Sequence, residues 1–242
     1  MTHRPQSGFS IVELMVAVAI GAIVVTAAVQ MLSVNQRTFM VQQASSGLID
    51  EGQLFLRFVT SDLRRAGFSG TAVSAGDSIV FGGANGSNSG ADYDRLTMRF
   101  FGTTDCQGST SAAPVQITNI YQVNNNGDLT CDGSLSAAAP VALLENVEAF
   151  RVLYGVDATT DGEQGPFLFD DAEGVAGAVA AGRPVIAVRL ALLMARTSQV
   201  FDLQPAQTWN VLDRSVNAGG DRAMRRVFST TVMLRNLDWE VL

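Results

Sequence analysis

From Phe9 to Leu32 the chain is apolar at almost every position, interrupted by one charge, Glu13, and by Ser10, Thr26 and Gln30. At a rise of ~1.5 Å per residue, a helix over these 24 residues spans ~36 Å, enough for a hydrocarbon layer of ~30 Å. A core helix is seldom apolar on every face for so long. A secretory signal would have a shorter apolar region followed by a small-residue cleavage site, whereas this one runs on past Ala27 and Ala28 into a helical pattern. The pattern therefore predicts a permanent membrane anchor.

Beyond Leu32, Val34, Val41, Leu48 and Phe55 recur every seven residues, with Thr38, Ser45 and Gly52 between them. Leu56, Phe58, Val59 and Leu63 widen the stripe. This predicts a second, amphipathic half of the same helix, with Gly47 and Gly52 as weak points for bending. Arg64 and Arg65 suit the helix C-terminus and Gly67 suits the position after it. After Gly67 the period changes to two. Residues 95–100, 115–123, 129–131, 147–154, 185–193 and 227–234 read as strands with one buried face, as in an antiparallel sheet. Asn124-Asn125-Asn126-Gly127-Asp128 reads as a hairpin turn. Long stretches at 82–92, 157–184 and 201–223 show no clear period. The expected class is α+β, a long helix packed on an antiparallel sheet.

Composition narrows the function. The chain of 242 residues has a net charge of −7, and all of its basic side chains are Arg, which disfavours a nucleic-acid surface. His3 is the only histidine. A chain cut after Gly8 would have none, removing histidine-based catalysis and imidazole metal sites; carboxylate-only catalysis stays open, but no acidic pair is marked out, and no enzyme and no cofactor is expected. Cys106 and Cys131 are too few for a zinc site. In an oxidising compartment they would pair, closing a loop of about 25 residues and adding ~3 kcal/mol; otherwise they are unrelated thiols. Asp157, Thr159, Asp161 and Gly162 match the start of a calcium loop, but its twelfth position is Leu168 where a bidentate Glu belongs, and Asp and Gly also simply make turns.

Glu13 is the residue that composition leaves unexplained. A carboxylate at the centre of a membrane costs roughly 2.5–3.5 kcal/mol. Alone, Glu13 could sit at the interface and complement the positive helix N-terminus, a gain of up to about 1 kcal/mol. Arg4 and Arg37 flank the span evenly, so charge does not set its orientation. A cut after Gly8 would give Phe9 a free α-amine of pKa ~7.7–8, about one helical turn from Glu13. Within one chain or between staggered chains, the two could neutralise each other and set a register.

Gly8-Phe9-Ser10-Ile11-Val12-Glu13-Leu14 resembles the class III signal of type IV pilins and pseudopilins. The resemblance implies cleavage between Gly8 and Phe9 by a prepilin peptidase, N-methylation of Phe9, and Glu13 as the assembly glutamate. It also implies a leader on the cytoplasmic side and a globular part in the periplasm. Three further stretches resemble the PilW minor pilins: Asp62 to Phe68, Val147 to Asp157 and Arg225 to Asn236. That resemblance implies a type IV pilin-like fold with a leader at 1–8, a transmembrane half-helix at 9–32, an amphipathic half at 33–66 and a periplasmic domain at 67–242. It further implies an inner-membrane subunit that joins other minor pilins and the major pilin, primes assembly and is carried at the pilus tip. Two other readings stay open: a minor pseudopilin of type II secretion, and a membrane-anchored binding module.

Overall fold

The computed structural model describes residues 8–68, 93–158, 167–181, 183–198 and 201–236. One helix, α1 (Ile11–Arg65), opens the chain. Among the described residues ten strands follow: β1 (Arg95–Thr104), β2 (Thr110–Val123), β3 (Leu129–Gly133), β4 (Val141–Leu144), β5 (Val147–Asp157), β6 (Phe167–Asp170), β7 (Val185–Thr197), β8 (Gln207–Val211), β9 (Arg214–Ala218) and β10 (Ala223–Met233). A short helix, α2 (Ala172–Ala180), lies between β6 and β7. The chain divides into two compact units, Met1–Ser45 and Ser46–Leu242.

In the first unit, α1 exposes its apolar side chains. The helix is long and apolar enough to cross a membrane, and none of its most apolar stretch is buried. Its few hydroxyls are satisfied internally: Thr26 donates to the Ala22 carbonyl at 2.8 Å and Ser33 to the Val29 carbonyl at 3.0 Å. Such back-bonding hides the polar groups that hydrocarbon could not solvate.

In the second unit, two four-stranded antiparallel sheets, ordered β1-β2-β3-β4 and β10-β7-β5-β6, share one core with the end of α1. Leu48, Gly52, Phe55, Val59, Asp62 and Ala66 are buried at alternating steps of four and three residues, the spacing of one helix face. Phe55 meets Tyr121 of the first sheet and Phe150 of the second edge-on, at ring separations of 6.4 and 6.5 Å. Leu63 and Val59 complete the face, while Phe58 stays at the rim, 38% exposed, although the sequence pattern groups it with them.

Two glycines of α1 sit at close contacts with the sheet. A Cβ on Gly52 would lie 2.6 Å from the Phe228 ring, and one on Gly47 would lie 2.6 Å from the Arg196 guanidinium. Both let the helix approach β10 and β7 closely. Gly67 does end the helix as expected, with φ +77°. Gly127, at φ +80°, forms the turn that pairs β2 with β3.

The expectation of strands with a single buried face fails for β5 and β7. Both are buried on both faces, because a ribbon of β8 paired with β9 covers the outer side of their sheet. Ala149, Ala191 and Leu193 meet Val211 and Val216 there in a second small core. The sequence pattern also missed α2, β4 and β6.

Candidate assembly site at the helix N-terminus

Glu13 sits in the first turn of α1. Its carboxylate accepts from the Ser10 backbone N–H at 3.3 Å, and the Ser10 hydroxyl oxygen accepts from the Val12 N–H at 3.3 Å. This arrangement is a variant of the capping box that Ser-x-x-Glu encodes, with the Ser10 hydroxyl bonded to the Val12 N–H, one residue before Glu13, and it satisfies two donors at the helix start. Ser10 was not singled out from the sequence, although the spacing of Ser10 and Glu13 carries the signal. Gly8 and Phe9 precede the box on exposed backbone, with Phe9 90% exposed. The three residues that the leader motif marks thus lie at one accessible helix end, and both bonds of the cap are long, so a stronger donor could displace them.

The other candidate residues lie in the second unit. Cys106 follows β1 and is joined to Cys131 of β3, with Cα atoms 6.3 Å apart, a separation suited to a disulfide. The bond ties the β1–β2 turn to the neighbouring strand, and the Cys106 N–H donates to Asn119 at 3.1 Å. Asp157 is buried at the end of β5. Thr159 and Asp161, the remainder of the calcium candidate, lie outside the described residues. Among the described residues, no cluster of three or more His, Cys, Asp or Glu is arranged to hold a metal ion.

The sequence reading also missed three buried charge networks. At the end of α1, the Asp62 carboxylate accepts from Asn119 Nδ2 at 2.7 Å and from the Tyr121 hydroxyl, and pairs with Arg65. Burial and the adjacent Asp62 charge push the Tyr121 phenol up, which keeps it a donor. Arg151 of β5 is 2% exposed; it pairs with Asp94 and reaches Asp213 at 2.8 Å in the β8–β9 turn. Arg225 of β10 holds Glu148 at 2.7 Å and Asp221 at 2.6 Å. Asp62, Glu148, Arg151 and Arg225 all lie in the three stretches that carry the PilW resemblance. A charged residue at an inward strand position was the available signal.

Comparison with known proteins agrees with both ends of the chain. The profile of the Type IV Pilus-assembly protein W family matches residues 109–236. That of the prokaryotic N-terminal methylation motif matches residues 3–29. No curated protein matches. Among solved structures, a type IV-like pilin from Thermus thermophilus is similar at 20% identity and a TM-score of 0.46, covering 78% of this chain and 98% of that one. The first profile spans more than half of the sequence, and the chain belongs to the type IV pilus-assembly protein W family.

Proposed function

We propose that this type IV pilin is a minor pilin, cut between Gly8 and Phe9 by a prepilin peptidase and N-methylated at Phe9. Residues 9–32 hold it in the inner membrane, residues 33–66 continue the helix, and residues 67–242 form a periplasmic domain. It joins other minor pilins to prime pilus assembly and travels at the pilus tip.

The observation that carries this reading is the single carboxylate at the exposed apolar helix end. From Phe9 to Leu32, Glu13 is the only charged residue, one turn from the proposed new terminus. In the uncut chain its partner is a backbone N–H. Cleavage would supply an ammonium of pKa ~7.7–8, a charge-assisted donor that outcompetes the backbone amide. In lipid each charge alone is costly, so an ammonium on one protomer and Glu13 on its neighbour would fix an axial register as they meet. Membership of the pilus-assembly family supports pilins as those neighbours.

Replacement of Glu13 by Ala tests the pairing. Processing after Gly8 should be intact, while surface pili become few and co-purification of other minor pilins falls at least tenfold. Normal piliation with normal partner recovery would remove the role assigned to the carboxylate.

A further inference from the structure

Among the described residues, the second sheet ends on β10 with no further strand beside it. Leu234 N–H donates to the Ile186 carbonyl and Ser198 N–H to the Arg222 carbonyl, which fixes which residues of β10 bond to β7. In an antiparallel ladder these alternate with residues whose backbone groups point away. Arg225, Val227, Ser229, Thr231 and Met233 therefore aim their N–H and C=O groups outward, and no described residue bonds to them. The other sheet edges differ. The chain leaving α1 bonds to β1 through Gly67 and Phe68, and β4 and β6 have only four residues each. β10 has eleven residues and no proline, the kind of edge that invites a further strand.

A groove of about 600 Å³ runs beside this edge, lined by Gln53, Leu56, Arg57, Thr60, Arg64 and, from β10, Thr230 among others. Arg57 and Arg64 are exposed, two helical turns apart, and no described carboxylate pairs with them. Arg226 shares the face of Thr230 by strand alternation and is likewise exposed and unpaired. In a chain of net charge −7 this is a local excess of positive charge beside a strand edge that no described residue fills.

We infer that the β10 edge accepts an extended segment of another protein of the assembly, carrying carboxylates at alternate positions. Its backbone pairs with the outward groups of β10, and its carboxylates face Arg57, Arg64 and Arg226. Backbone pairing supplies affinity and the alternate side chains supply selectivity. A second copy is the wrong occupant, because β10 holds no Asp or Glu and so brings no carboxylate to meet Arg57, Arg64 and Arg226. The inference rests on the reading of the chain as an assembly subunit, but it uses a surface separate from Glu13.

The test uses the full chain in detergent micelles and two end-blocked octapeptides, one alternating Thr and Glu and the other Thr and Lys. The acidic peptide should bind at least tenfold more tightly. Arg57→Glu with Arg64→Glu should reverse that preference. Ser229→Pro removes an outward N–H without breaking a β7 bond, and should weaken binding of the acidic peptide at least tenfold with an unchanged melting temperature. Should that variant melt early, N-methylation of the peptide backbone at alternate residues gives the same readout on the unaltered chain. Equal binding of the two peptides, or full binding of the methylated one, overturns the inference. So does a disulfide-linked dimer through Thr231→Cys, which would seat a second copy on the edge. Glu13→Ala should bind the acidic peptide normally, so failure of this site and failure of the Glu13 pairing can be told apart.

Discussion

Arg151 shows what single residues do in this fold. It lies on a strand buried on both faces, and its guanidinium bridges Asp94, which precedes β1, to Asp213 in the β8–β9 turn. Leu212 in that turn has φ +57°, a left-handed conformation that an L side chain adopts at a cost of order 1 kcal/mol, and the adjacent Asp213–Arg151 pair helps to hold it. Arg151→Met should cost ~3–5 kcal/mol in denaturant unfolding, because it strands Asp94 in the interior; adding Asp94→Asn should recover part of the loss. Asp94 also makes stability pH-dependent. Burial pushes its carboxyl up to about 6 from 3.8, ahead of the lowering by the Val152 N–H and by Arg151; nearby Asp213 raises it and Arg214 lowers it. The folded chain therefore binds more proton than the unfolded chain between those values. The contribution is fully present below 3.8 and is lost as pH rises through 6. Asp94→Asn should flatten the decline in melting temperature across that window. An unchanged decline would assign the effect to another group.

At the scale of elements, the packed end of α1 depends on a missing side chain. Gly52 lets the helix sit against Phe228, where any Cβ would lie 2.6 Å from the ring. Gly52→Val should lower stability by about 1–3 kcal/mol in denaturant unfolding of the micellar full chain, despite removing a poor helix former. The opposite sign would show that the close approach to Phe228 does not decide stability at this position. The helix, its stop at Gly67 and the strands β1, β2, β3, β5, β7 and β10 were legible because their periods are clear and their turns carry Gly or Asn. The β8–β9 ribbon was not, since its turn uses Leu212 and Asp213 where a hairpin signal would have glycine or asparagine. Without the ribbon, the alanines on the outer face of β7 read as a solvent-facing row. α2 was hidden by Gly174 and Gly177, which weaken a helix whose start is set by Asp171 accepting from the Gly174 N–H at 2.8 Å. Of the candidate assembly site, Gly8, Phe9 and Glu13 were legible. The charge networks were not, because Asp94 and Asp213 reach Arg151, and Glu148 reaches Arg225, from distant parts of the chain.

At the scale of the molecule, the two units answer to different solvents. The first exposes Ile11, Leu14, Ile20, Ile23 and Met31 on the part of α1 before Ser46, where Glu13 is the one carboxylate, a surface suited to lipid and then to other helices. The second gathers apolar residues into two cores and pairs several of its charges, as a water-facing domain does. Membership of the pilus-assembly family places such a chain among pilins, and the proposed passage from membrane to fibre begins with exposure of the Phe9 amine. The mass of the intact protein from cells with a working peptidase tests that step most directly. The account predicts a chain that begins at Phe9 and carries one added methyl group. A chain still beginning at Met1, with the leader in place, would contradict it.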